Sequence, residues 1–312
     1  MSAIEVQEPG LLTTVQDLGR EGFGPLGVSA SGAADAVALR LGNRLVGNDE
    51  NAATLEMTLT GGALRFTHGA TIALTGSDFG ATLDGESIAM WESIQARAGA
   101  TLRLGATRSG ARCYLCVQGG IAVEPFLGSA STHLLSGLGG FQGRALRRGD
   151  ALRIATLSAP FRKRRVADKI LQALAPRKTL RVTAGPQADW FSEAAQSAFC
   201  ASTYRVAENS NRMGLRLEGA AIAPASAREM ITEGVSLGAI QIPPGGQPIL
   251  LFVEQQTTGG YPKIANVIAA DLHSVGQLRP RDEIRFERVD FETAQSLLRN
   301  QERWIQSAVA TE

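Results

Sequence analysis

Between Gln255 and Lys263 the chain reads Gln-Gln-Thr-Thr-Gly-Gly-Tyr-Pro-Lys. Gly259 and Gly260 let backbone N–H groups come close to a ligand, Thr257 and Thr258 add hydroxyl donors, Tyr261 adds a phenol, and Lys263 adds a charge. That combination suits an anion such as a phosphate or a carboxylate. Its setting predicts a strand over 248–253, which is nearly unbroken in apolar residues. A helix is predicted from Lys263, because Ile264, Val267 and Ile268 recur at helical spacing behind Pro262. The plainer alternative is a strand–turn–helix connection built from ordinary turn residues.

Two more polar clusters stand apart from the apolar runs. Thr13, Thr14, Gln16, Asp17 and Arg20 crowd into residues 13–20, and Asn211 with Arg212 opens a strand at 210–214. Arg212 is a candidate fork for a carboxylate or phosphate. Other chemistry is disfavoured. No Gly-Lys pair occurs, so a P-loop is excluded, and the glycines of 136–144 lack the spacing of a dinucleotide loop and read as a tight turn. Cys113 and Cys116 lie on a predicted strand with their side chains on opposite faces, and His68, His133 and His273 are scattered. No metal site is expected.

Short alternating segments dominate the 312 residues: 55–60, 63–67, 70–75, 101–104, 112–118, 151–155, 179–183, 213–217, 249–253 and 283–289. Helices are predicted over 32–46, with Ser31 as N-cap and Gly47 as stop, and over 291–308 behind Asp290. The fold class expected is mainly β, with closed or sandwiched sheets and a few packed helices. Residues 57–64 align with 215–222, Gly76 and Gly80 with Gly234 and Gly238, and 146–154 with 278–286, which points to a duplicated β unit. The expected organisation is a first subdomain over 1–157, a basic linker over 158–178 and a second subdomain over 179–312. A cleft between two such units is a natural ligand site. With 44% hydrophobic residues, 20% charged residues and a net charge of +1, a soluble protein without a nucleic-acid partner is expected. Three cysteines, no visible signal peptide and no membrane-length apolar run point to the cytoplasm, with no membrane partner.

The motifs TTVQDLGR (13–20), GVSASGAAD (27–35), GNRLVGN (42–48), TLEMTL (54–59), LGSAST (127–132), SNRMGLRL (210–217), EGVSLGAIQIPPGGQP (233–248) and TTGGYP (257–262) together resemble the allophanate hydrolase subunit 2 family, also described as the carboxyltransferase subdomain C and D family. The resemblance runs in order along nearly the whole chain. It implies two tandem cyclophilin-like β-barrel subdomains. It also implies a role like that of the C subunit of ATP-dependent 5-oxoprolinase, acting with the A and B subunits on a small-molecule substrate, with ATP accompanied by Mg. In that role Lys263, Arg212, Glu254 and Asp17 are the catalytic candidates. Thr14, Arg20, Asn211, Gln241, Thr257, Thr258, Gly259, Gly260 and Tyr261 are the substrate- or nucleotide-binding candidates. Other members are urea carboxylase domains, which would bring biotin, and a regulator that binds an inhibitor resembling the B component. The sequence departs from the family pattern at Ala130 and Gln255, where arginines are common, at Glu254 in place of Asp, and at Ala34 in place of Met.

Overall fold

Strand Thr54–Thr58 shows how the first half of the chain is built. Leu55 and Met57 enter the core as their alternation predicts, but Thr54 and Glu56 are buried as well, so the strand is covered on both faces. A helix supplies the second cover. The computed structural model describes residues 2–155, 160–225 and 230–311, and the chain divides into two compact units. The first comprises Met1–Arg20, Ser31–Ala175 and Arg303–Glu312; the second comprises Glu21–Ala30 and Pro176–Glu302.

In the first unit a six-stranded and a five-stranded antiparallel sheet share one core, to which Ile4, Leu64 and Leu102 contribute from one sheet and Leu55, Leu74 and Leu115 from the other. Helix Ala36–Val46 lies on the five-stranded sheet, where Thr75 Oγ1 donates to Ala38 O at 2.7 Å. Gly42 permits this approach, because a Cβ there would collide with Cys116 Sγ. The helix is shorter than the predicted 32–46. Ser31 has φ 57° and Gly32 φ 98°, which holds this stretch out of the helix, and Asp35 is the cap, its Oδ1 accepting from Ala38 N at 2.9 Å. Gly47 ends the helix at φ 78° as expected. Cys113 faces the shared core and Cys116 faces the helix, and burial pushes both thiols far up.

The basic run is not a free tether. Strand Arg164–Val166 pairs with Val309–Thr311, Arg164 N donates to Ser93 Oγ at 2.8 Å, and Val166, Ile170 and Leu174 join an apolar cluster of the first unit. Periodicity missed this because the strand, Arg-Arg-Val, spans three positions and carries a single apolar residue. Residues 156–159, where the first subdomain was expected to end, lie outside the described residues.

The second unit contains a closed seven-stranded barrel in the order Thr179–Ala184, Lys263–Val267, Ala239–Gln241, Ile249–Leu251, Gly214–Glu218, Tyr204–Val206 and Glu283–Arg288. Leu215 and Leu217 are buried while Arg216 and Glu218 face out. The helix expected from Lys263 is a strand. Ile264 and Val267 are β-branched, and a register shift opposite Ile240 and Gln241 displaces the alternation enough to imitate helical spacing. Helix Phe291–Gln306 forms as expected, with Asp290 Oδ1 accepting from Thr293 N at 2.7 Å.

The duplicated segments fold alike. In 146–154 the Asp150 carboxylate accepts from Arg147 N at 2.7 Å, and Asp150 O accepts from Val6 N at 2.8 Å. In 278–286 the Asp282 carboxylate accepts from Arg279 N at 2.9 Å, and Asp282 O accepts from Val206 N at 2.9 Å. The Arg144 guanidinium holds the Asp150 carboxyl below the usual range despite partial burial. Burial would raise the Asp282 carboxyl, but the Arg279 amide and the Lys178 ammonium outweigh it and the group is lowered. A lowered carboxyl stabilises the fold above its unfolded-state pKa, and the benefit fades as pH falls through the folded-state value. Asp282→Asn should therefore cost about 1–2 kcal/mol at neutral pH. Urea titrations should show the gap from wild type closing below roughly pH 4; a gap that is independent of pH would contradict this role for Asp282.

Candidate functional site

Asp17 sits at the end of strand Leu12–Gln16 and is buried. Its carboxylate accepts from Ser129 Oγ (2.6 Å), Ser131 Oγ (2.5 Å), Ala130 N (2.6 Å) and Gly19 N (2.8 Å). An ionised carboxylate has room for about four such bonds. Asp17 is thus the anchor of the 129–131 loop rather than a group aimed at substrate. Arg20 donates to Ser131 O and Phe126 O and lies 5.6 Å from the Phe126 ring centroid, and buried Thr14 accepts from Gln16 Nε2 at 3.0 Å. Gly139 and Gly140 close onto the same loop, where a Cβ on either would collide with Ser131 O or Thr132 Oγ1. The expected orienting residues build a scaffold.

Arg212 and Glu254 are both buried and form an ion pair, Nε to Oε1 at 2.5 Å. Backbone bonds run alongside it, from Glu254 N to Arg212 O and from Phe252 N to Met213 O, both at 2.9 Å. The pair fastens the turn after strand Ile249–Leu251 to the start of strand Gly214–Glu218. The groups expected as a phosphate fork, Arg212, and as an acid–base or metal-facing group, Glu254, face each other here. Among the described residues no three His, Cys, Asp or Glu side chains gather where they could hold a metal ion.

Lys263 and Gln241 are different. They are Cα partners across the barrel ladder, and each is at most 2% exposed. Gln241 Nε2 and Lys263 Nζ both lack a well-directed hydrogen-bond acceptor. Glu233 Oε1 lies 2.5 Å from Lys263 Nζ and also accepts from Gln187 Nε2 at 2.9 Å. Those two contacts, the lysine first, hold the half-exposed Glu233 carboxyl below its usual range. The charge of Lys263 is balanced by Glu233. The register shift beside Ile240 is what sets Lys263 opposite Gln241.

The Gly-rich run works by close approach. Residues Thr258–Gly259 pair with Glu233–Gly234 in a two-stranded ribbon, and Val235 N donates to Thr257 O at 3.1 Å, so this run opens no helix. A Cβ on Gly259 would stand 2.5 Å from Gln241 Nε2, whereas Gly260 meets nothing closer than Thr232 Oγ1 at 3.5 Å. Beside this ribbon the second unit forms a pocket of about 290 Å³ on the outer face of the barrel. Asn211, Gln241 and Tyr261 line it together with Arg216, Gln256 and Ile249. Of the candidates, Gln241, Asn211 and Tyr261 meet at the pocket, Lys263 adjoins Gln241 on the ladder, Arg212 pairs with Glu254 between the lining residues Asn211 and Met213, and Asp17, Thr14 and Arg20 belong to the first unit. Sequence reasoning missed Arg216, Gln187, Glu233 and Gln256. Arg216 was detectable, since alternation along 214–218 turns it away from the core.

The family model for the carboxyltransferase domain, subdomain A and B, matches residues 26–288. The chain is 39% identical to the 5-oxoprolinase C subunit of Escherichia coli (strain K12) over 303 residues, covering 97% of this chain and 96% of that protein. It is 36% identical to urea amidolyase of Saccharomyces cerevisiae over 330 residues, covering 99% of this chain and 18% of that protein. Among solved structures, the K. lactis urea amidolyase superposes with a TM-score of 0.90 at 35% identity, over 97% of this chain and 20% of that one. A mainly β chain with a closed seven-stranded barrel and this end-to-end likeness belongs to the carboxyltransferase domain, subdomain A and B, family. The subdomain letters thereby replace the C and D of the motif-based resemblance.

Removing Glu254 leaves a buried guanidinium without its carboxylate. Glu254→Ala should cost about 3 kcal/mol of stability. Chemical denaturation of the purified chain reads this directly; a loss below about 0.5 kcal/mol, the scale of an ordinary surface substitution, would show that the pair is not structural.

Proposed function

We propose that the chain acts as the C subunit of an ATP-dependent 5-oxoprolinase, working with the A and B subunits to convert 5-oxoproline to glutamate. The observation that carries this reading is the likeness to a C subunit over nearly the whole of both chains. Opening an unstrained lactam with water is uphill. In this reading the γ-phosphoryl group of ATP passes to the lactam oxygen, leaving ADP; water then adds to the activated carbon, the ring C–N bond breaks and phosphate departs. Such a transfer depends on positioning and on stabilising spread-out negative charge.

The residues present fit a phosphoryl or carbonyl oxygen. Gln241 Nε2 is a buried donor without an acceptor, and Lys263 Nζ beside it carries a charge that faces Glu233; in a dry site each is worth more than in water. Lys263, oriented by Glu233 and Gln187, would bear on the oxygen that accumulates charge. ATP, accompanied by Mg, supplies the phosphoryl group, and the A and B subunits supply whatever this chain does not.

A second reading has its own support in the superposition on urea amidolyase. There the same donors would stabilise an oxyanion during carboxyl transfer from biotin held on a separate carrier. The chain should be tested with the A and B subunits for ATP-dependent glutamate formation, and with a biotin carboxylase and its carrier for urea-dependent turnover. Lys263→Met, which keeps most of the side-chain volume, should lower oxoproline turnover by at least tenfold, about 1.4 kcal/mol in the barrier, while the complex still assembles. Turnover within about threefold of wild type would remove Lys263 from the chemistry. Turnover only with the biotin carrier would replace the first reading by the second.

A further inference from the structure

The pocket on the outer face of the second unit's barrel is lined, among the described residues, by no acidic side chain and by one full positive charge, Arg216. Its floor is apolar, with Met213, Ile249 and Leu251. Register fixes the spacing across it. Arg216 and Ile249 are Cα partners on neighbouring strands, and Ile249 and Gln241 are Cα partners on the next pair. Arg216 and Gln241 are therefore two strand spacings apart on one face, roughly 10 Å between Cα atoms. At one end stands an exposed guanidinium; at the other stands a buried carboxamide whose Nε2 has no acceptor. Gly259 keeps that end open: a Cβ there would fall 2.5 Å from Gln241 Nε2 and 3.1 Å from Gln256 Nε2.

We infer that this pocket binds a small monocarboxylate that also carries a carbonyl acceptor, with its carboxylate on Arg216 and its carbonyl oxygen on Gln241 Nε2. A guanidinium takes a carboxylate with two parallel bonds, and an orphaned amide nitrogen repays its burial only by meeting an oxygen. Between them the apolar floor suits a few methylene groups. The volume of about 290 Å³ lies at the small end of ligand sites, which begin near roughly 300 Å³. It suits a molecule of amino-acid size and not a nucleoside triphosphate, so the nucleotide of the proposed reaction binds elsewhere. The inference rests on the proposed function for the choice of probe, since a cyclic amide acid combines the two groups at the right separation.

The test is calorimetric titration of the intact chain with 5-oxoproline, 2-pyrrolidone, proline and ATP with Mg. 2-Pyrrolidone lacks the carboxylate and proline lacks the carbonyl. 5-Oxoproline should bind saturably, both truncated analogues at least roughly tenfold more weakly, and ATP should not compete. Arg216→Ala should weaken 5-oxoproline by at least roughly tenfold, leave 2-pyrrolidone unchanged and, because the side chain is exposed, leave the melting temperature unchanged. Gln241→Leu should weaken both. Absence of saturable binding, equal affinity in Arg216→Ala, or displacement of 5-oxoproline by ATP would overturn the assignment. If the assembled enzyme turns over 5-oxoproline while this chain alone binds none, the pocket assignment falls and the oxoprolinase reading stands. If the chain binds through Arg216 but no assembly turns over, the reverse holds.

Discussion

A buried N–H without an acceptor costs about 1–3 kcal/mol, more when charged. The second unit carries that burden at Gln241, across the ladder from Lys263, whose ammonium faces Glu233. Folding alone gives no reason to retain it, because an apolar residue of similar size would fill a barrel strand at lower cost. The burden makes sense if that donor awaits an oxygen. Much of the local structure serves to keep Gln241 and Lys263 in place. The register shift turns Lys263 opposite Gln241, Glu233 and Gln187 hold the ammonium, and Gly259 leaves room for the carboxamide.

Other charged groups that look equally functional in sequence already have partners. Asp17 spends its acceptor capacity on Ser129, Ala130, Ser131 and Gly19, and Arg212 faces Glu254. Both belong to short motifs rich in polar residues, and both do structural work: one pins a loop, the other fastens a turn to a strand. Polar density marks where a loop must be held as readily as where a ligand must be held. Only the tally of donors against acceptors separates the two.

That tally was not legible in the sequence, whereas much of the fold was. Alternation located the strands around Leu55, Leu64, Leu115 and Leu215, and the duplicated Arg-Arg-Gly-Asp and Arg-Pro-Arg-Asp turns were visible as an internal repeat. The two-residue strands of the ribbon were invisible because a pattern needs more positions than they have. Lys263–Val267 was misread because a bulge breaks the period on which the reading depends. Arg164–Val166 was read as part of a basic linker because its partner strand lies at the far end of the chain. At the site, the glycines, hydroxyls and Lys263 stand together in the sequence, yet their relation to Arg216 is set by strand pairing and could not be read from spacing.

The most direct measurement is on the Gln241 side chain itself. In a spectrum of 15N-labelled chain, with Gln241→Glu identifying the resonance, the two Gln241 amide protons should shift and exchange more slowly when 5-oxoproline is added, as an N–H does when it gains an acceptor. If the ligand binds and those protons do not respond, the orphaned donor is not what the site is built around.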